Sequence, residues 1–175
     1  MSVLIIYAHP APRRSRVNEL LREQIAAQAP VRDLYARYPD FDLDVVAEQA
    51  ALAAAQHVVL QFPLQWYSVP PLLKAWFDEV WLYGWAYGEG GRALQGKTLT
   101  VVASAGGPLT AYRADGTNRR TLDEYLYPLE QTAVLCGMVW QPPLVLYAAD
   151  RATQQDILQH AAHYQQRVTQ LQTGV

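Results

Sequence analysis

The sequence predicts a three-layer α/β/α sandwich on a five-stranded parallel sheet, and three observations carry that reading. Three apolar runs of strand length, Val3 to Ala8, Val58 to Phe62 and Leu99 to Ala103, are continuous rather than alternating, as strands covered on both faces require. Helical patterns separate them, which is the alternation of a parallel α/β layer architecture. The 175 residues suit one domain, spanning 1–175, with a sizeable core and no room for two ordinary ones.

The elements follow in order. After the first strand, Ser15 to Gln28 carries Val17, Leu20, Leu21 and Ile25 on one stripe, with Ser15 as a natural N-cap. Val31 to Tyr38 reads as a second, weaker strand, and Asp44 to Ala55 as an alanine-rich amphipathic helix capped by Asp44. Val69 to Trp81 opens on Pro70 and Pro71, which fit a first helical turn where amides are unpaired anyway. This helix is apolar nearly all round except at Lys74, Asp78 and Glu79, so it predicts burial on more than one side, including by a partner subunit. Thr121-Leu-Asp-Glu124 matches a capping box and opens a helix that runs past Pro128 to a stop at Gly137. Met138 to Tyr147 is the fifth strand, pushed to a sheet edge by Pro142 and Pro143. The last helix starts at Thr153 and lines up Ile157, Ala161, Tyr164, Val168 and Leu171. Right-handed crossovers leave few topologies open, of which the doubly wound order 2-1-3-4-5 is chosen.

Composition excludes several classes of function. A formal net charge of -2 and no long basic tract argue against nucleic acid. The single cysteine, Cys136, forms no internal disulfide, lies in an apolar helical pattern and suits a reducing compartment as a buried, inert thiol. The first eight residues lack a basic leader, and no stretch reaches membrane-spanning length, so a cytoplasmic protein is expected.

One motif match fails on context. Gly91 to Thr98 satisfies G-x-x-x-x-G-K-[ST], but a strand follows it where a phosphate-binding loop opens a helix. The dinucleotide fingerprint G-x-G-x-x-G after the first strand is absent. His160 and His163 sit at i, i+3 without a carboxylate or cysteine pattern, so they read as surface residues and no metal site is expected.

Three loops at strand ends remain as candidate chemistry. His9-Pro-Ala-Pro-Arg-Arg-Ser15-Arg16-Val17-Asn18 leads from the first strand into the first helix, whose free amides and dipole form an anion site to which His9 and Arg16 add charge or hydrogen bonds. Ser15 also fits a plain cap beside solvated arginines. Between Phe62 and Tyr87 lie nine of the nineteen aromatic residues, around Gln65-Trp66-Tyr67-Ser68. This loop follows the third strand, where α/β proteins bind planar ligands, and it equally fits core or a subunit contact. Ser104-Ala105-Gly106-Gly107 follows the fourth strand, and its glycines let backbone amides approach a ligand, though it equally fits a plain turn. A flat heterocycle with a phosphate tail suits all three, and a flavin is the economical candidate, with Trp66 and Tyr67 along its ring and the amides after Ser104 answering charge on reduction.

In combination, several segments resemble the flavodoxin-fold NAD(P)H:quinone oxidoreductases, and most closely the ancillary oxidoreductase subunits of bacterial glutathione-regulated potassium efflux systems. They are Ile5 to Pro10, Ser15 to Asn18, Tyr38 to Phe41, Gln65 to Lys74, Gly84 to Gly88 with Gly90-Gly91, Gly96-Lys97 and Gly106-Gly107, and they span most of the chain. The resemblance implies an FMN or FAD site, FMN ranked first, with the phosphate near His9 and Ser15, Arg16, Val17 and Asn18. It places the ring against Leu64, Gln65, Trp66, Tyr67 and Ser104, Ala105, Gly106, Gly107. It further implies NADH or NADPH as electron donor, a quinone or similar electrophile as acceptor, a homodimer, and docking on a potassium efflux transporter at the inner face of the membrane. Arg13, Arg14 and Arg119 are candidates for a 2′-phosphate.

The chain departs from the larger animal quinone reductases at one place. Those proteins carry a tyrosine and, six residues on, a histidine beyond the double glycine. Tyr112 stands at the first spacing here and Asn118 at the second. Asn118 donates a hydrogen bond but relays no proton. Tyr112 and Asn118 are the candidate catalytic pair, and Tyr112 also fits a plain loop aromatic.

Overall fold

A computed structural model describes residues 1–174. The parallel sheet runs β2 (Val31–Asp33), β1 (Val3–Tyr7), β3 (His57–Pro63), β4 (Thr98–Ser104), β5 (Val139–Trp140), and β6 (Leu144–Leu146) also pairs with β4. The predicted order therefore holds, with the fifth position divided between two short strands. Val139 lies opposite Thr98 and Leu146 opposite Ser104. Pro142 and Pro143 fall in the gap, where their missing amides and fixed φ break the ladder.

Strand two is shorter than Val31 to Tyr38. It ends at Asp33, whose Oδ1 accepts from the Ala36 amide at 3.1 Å and caps a single helical turn, α2 (Leu34–Arg37). A local side-chain cap thus overrides the strand pattern.

Helices α1 (Val17–Ile25) and α6 (Gln154–Thr173) cover one sheet face; α3 (Val45–Ala54), α4 (Pro71–Val80) and α5 (Leu122–Leu135) cover the other with α2. Strand alternation divides the core accordingly. Leu4, Ile6, Leu60 and Val101 pack against α3 to α5, while Val3, Ile5, Val59 and Val102 pack under α1 and α6. Asp44 Oδ1 accepts from the Ala47 amide at 2.9 Å, and capping boxes open α5 at Thr121 and α6 at Thr153. Pro71 is the first residue of α4, where it displaces no hydrogen bond. All five residues of the α6 stripe are buried, and Cys136 is buried with its thiol pushed up to about 11 by desolvation.

His160 corrects the surface assignment. It is buried on the inner face of α6, and desolvation, with the charge of exposed His163 in second place, lowers its pKa to about 4. Its position, i+3 from Ile157 and i−4 from Tyr164, puts it on the apolar stripe.

The fold is fastened on the far face by Glu48. Its wholly buried carboxylate receives Arg32 through two nitrogens, the Tyr38 hydroxyl, and Trp76 Nε1 at 3.1 Å, tying β2, α3 and α4 together.

Candidate functional site

At the carboxyl edge of the sheet, α1 begins between β1 and β3, the point where the strand order reverses direction. A cleft of about 250 Å³ opens there, walled by His9, Arg14, Ser15, Arg16, Val17, Asn18, Pro63, Ser104, Ala149 and Asp150.

Each wall is set by local chemistry. Ser15 has extended backbone and its Oγ accepts from the Asn18 amide at 2.9 Å, so it caps α1 although the regular helix starts at Val17. The remaining first-turn amides have no intrahelical partner, which leaves those of Arg16 and Val17 available to an anion. Asn18 is 2% exposed; its Nδ2 donates to Ser104 Oγ at 2.7 Å and its Oδ1 has no partner among the described residues. Gln61, a buried polar residue in an otherwise apolar strand, donates Nε2 to the Asn18 carbonyl at 2.8 Å and fixes the first turn of α1 on β3. Arg16 donates to the Ala152 carbonyl at 2.9 Å, drawing the turn before α6 against α1.

His9 Nδ1 accepts from the Ala11 amide at 3.1 Å, which makes Nε2 the protonated nitrogen of a neutral ring and a donor. Burial keeps the ring neutral by lowering its pKa, against the opposing charges of Glu19 and Asp33. The donor set of first-turn amides, Arg14, Arg16 and His9 suits a phosphate monoester.

The second loop is joined to the third at the sheet edge: the Leu64 amide donates to the Ser104 carbonyl at 2.8 Å. Gln65 and Ser68 exchange two backbone bonds of 2.9 Å, making a two-residue hairpin with Trp66 (φ 47°) and Tyr67 (φ 63°) at its tip. Two left-handed residues in succession suit Asn-Gly, so two aromatics here store backbone strain. Trp66 is 94% exposed. Tyr67 stacks on Tyr125 at 4.8 Å and its hydroxyl lies 3.4 Å from Asn118 Oδ1.

Gly106 and Gly107 follow β4 under close contact. A Cβ at Gly106 would lie 3.2 Å from Asp150 Oδ2, and one at Gly107 would lie 3.1 Å from the Tyr112 ring. Ala105 is buried. Tyr112 packs edge-on to Tyr125 at 6.1 Å and against Tyr147 at 5.6 Å, and Tyr125 donates its hydroxyl to the Asn118 carbonyl at 2.8 Å. Burial raises the Tyr112 pKa, keeping its hydroxyl a proton donor.

The structure thus brings His9, Ser15, Arg16, Val17, Asn18 and Ser104 into one cleft and sets Tyr112, Asn118 and Tyr67 in an adjoining aromatic cluster. Leu64 to Tyr67 and Ala105 to Gly107 do not line the cleft; Pro63 and Ser104 connect them to it. Gln61, Ala149, Asp150, Tyr125 and Tyr147 escape the sequence reading. A lone glutamine inside a buried strand was the available signal for Gln61; the others arrive by long-range packing.

A doubly wound sheet with a cleft at a helix terminus at its β1/β3 switch point defines a protein of the flavodoxin-like class. The family model described as flavodoxin-like fold matches residues 1–168, and the chain belongs to that family. It is 43% identical over 174 residues, 95% of this chain and 94% of the relative, to the glutathione-regulated potassium-efflux system ancillary protein KefF of Salmonella arizonae. Three solved structures are also similar. One, called a thermophilic tryptophan halogenase from Streptomycin violaceusniger, is 41% identical with a TM-score of 0.92, covering 94% of this chain and 97% of its own. General stress protein 14 of Treponema denticola, in complex with FMN, is 38% identical with a TM-score of 0.91, covering 98% and 99%. An NADPH-quinone reductase from P. pentosaceus is 31% identical with a TM-score of 0.88, covering 96% and 98%.

Proposed function

We propose that the protein is a single-domain, FMN-dependent NAD(P)H oxidoreductase that passes two electrons to a quinone or similar electrophile. The observation that carries this is the cleft at the α1 terminus, where free amides, a neutral His9 donor and Asn18 with its unpartnered Oδ1 meet at the switch point of the sheet. Likeness to an FMN complex and to an NADPH-quinone reductase, each over nearly the whole chain, supports the same reading.

Ser15, Arg16, Val17 and Asn18 would hold the phosphate of FMN with His9, while Leu64 to Tyr67 and Ser104 to Gly107 would flank its ring; FAD is the second candidate. Bound there, the flavin supplies hydride acceptance from NADH or NADPH and hydride donation to the acceptor. Backbone amides at Gly106 and Gly107 would answer negative charge on a bound flavin. Tyr112 donates a proton or hydrogen bond toward the acceptor, and Asn118 orients the Tyr67–Tyr125 pair through both its oxygens. Exposed Trp66 offers a stacking face. Tyr127, Val134 and Leu135 expose apolar surface on α5 beside an apolar groove of about 360 Å³ between α4 and α5, which suits a homodimer.

Steady-state kinetics of the FMN-loaded protein with NADPH and a benzoquinone test the proposal. Parallel double-reciprocal lines support one site used in turn by donor and acceptor; no NAD(P)H oxidation above free FMN refutes it.

A second reading is favoured by the near full-length likeness to KefF: an ancillary subunit seated on a potassium efflux transporter, regulatory first and catalytic second. Among the described residues no helix is long and apolar enough to cross a membrane, so such a role requires peripheral attachment through the transporter. Co-purification with the transporter, and efflux that survives loss of NAD(P)H oxidation, support it.

A further inference from the structure

One charged group in the cleft does not suit a phosphate. Asp150 lies on its wall with Arg14 and Arg16, yet among the described residues its carboxylate forms no ion pair and no hydrogen bond. A Cβ on Gly106 would lie 3.2 Å from its Oδ2, which sets the carboxylate beside the glycines after β4.

The turn that carries Asp150 is built to hold that position. The Ala148 amide donates to the Gly107 carbonyl at 2.9 Å and the Ala149 amide to the Ala105 carbonyl at 3.0 Å. Arg16 grips the Ala152 carbonyl on the other side. Ala148 takes a left-handed φ of 51°, a strained conformation for a residue with a Cβ, and the Arg151 amide closes the turn on the Ala148 carbonyl at 2.8 Å. Asp150 itself is left exposed at the end of this turn.

We infer that Asp150 is a cofactor-selecting residue that accepts hydrogen bonds from the hydroxyls of a polyol linker joining the phosphate to the ring. This rests on the flavin reading above and adds to it the chemistry of the cofactor's middle. An ionised carboxylate is acceptor-only, so it repels phosphate and is answered by hydroxyl donors. Gly106 keeps the approach to the carboxylate open to such a linker, since any Cβ there would crowd Oδ2. A ligand with an anion at one end and an aromatic ring at the other is therefore favoured when its linker is a sugar alcohol rather than a bare alkyl chain.

The test compares FMN with an ω-phosphopentyl flavin, in which hydrogens replace the ribityl hydroxyls, by flavin-fluorescence titration of the full-length protein. Wild type should prefer FMN by about tenfold or more, the scale of hydrogen bonds to a charged acceptor. Asp150→Ala should lose most of that preference while holding the alkyl analogue at least as tightly, and Asp150→Asn, which keeps one acceptor oxygen, should fall between. Retention of the full preference by Asp150→Ala, or an equal loss for both ligands, would overturn the inference and leave the flavin reading standing. Failure of wild type to bind FMN at all would remove both.

Discussion

The Asn18 side chain donates to Ser104 Oγ at 2.7 Å, pinning the first turn of α1 to the last residue of β4 across the carboxyl edge of the sheet. Asn18 also receives Gln61 on its carbonyl, so one residue couples three elements around the cleft. Asn18→Ala removes the link and leaves Ser104 Oγ to find another partner. FMN affinity should fall at least tenfold, and stability by about 1 kcal/mol for the lost hydrogen bond. Fluorescence titration and urea unfolding read the two separately.

Glu48 predicts acid sensitivity. Burial raises its pKa, but hydrogen bonds from Arg32, Tyr38 and Trp76 and the charge of Arg32 outweigh that, so the folded value lies below the ordinary 4.5. The unfolded chain then binds the proton more readily, and the stability contributed by Glu48 is present above pH 4.5 and lost as pH falls below it. Glu48→Gln, which strands the Arg32 guanidinium, should destabilise by about 3–5 kcal/mol at pH 7. Denaturant midpoints between pH 7 and pH 3 check both statements.

His160 acts in a higher window. Its folded pKa of about 4 lies below the ordinary 6.5, so the neutral ring stabilises the fold above pH 6.5 and that contribution drains away as pH falls toward 4. His160→Gln should flatten the stability profile in this range. Some slope should remain, because burial lowers His9 and His57 as well.

The hairpin tip should show a trade between stability and activity. Replacing Trp66-Tyr67 by Asn-Gly relieves two left-handed aromatics and should raise stability by about 1–2 kcal/mol. It also removes the exposed ring and the Tyr67–Tyr125 stack, so quinone turnover should fall. Thermal melts and kcat, measured together, should move in opposite directions.

Tyr112→Phe tests the donor role of the buried hydroxyl. The ring contacts with Tyr125 and Tyr147 are retained, so FMN affinity should change less than about twofold, while turnover with quinone should fall roughly tenfold or more, the scale of a lost transition-state donor.

Much of the fold is legible in the sequence because its signals are local and covalently close. The continuous apolar runs of β1, β3 and β4 need no partner to be recognised, and the caps at Asp44, Thr121 and Thr153 act within three residues. Local chemistry also misled where two signals competed. Asp33 caps a helical turn inside a strand-like stretch, and Pro142-Pro143 splits one strand position into two. His160 was legible from its spacing on the α6 stripe, though its residue type suggested the surface.

The site divides the same way. Ser15, Asn18 and His9 adjoin in sequence, so a candidate anion-binding terminus shows in the string itself. Asp150 reaches the cleft only because Ala148 and Ala149 bond to Gly107 and Ala105, residues far earlier in the chain. Tyr125 and Tyr147 join Tyr112 by tertiary packing alone, which no local period announces.

The most direct measurement is the visible absorbance spectrum of the purified full-length protein, before and after incubation with FMN and dialysis. The account predicts a yellow protein retaining about one flavin per chain, bleached by anaerobic NADPH and recoloured by quinone. A colourless protein after dialysis, with its fold intact by circular dichroism, would contradict it.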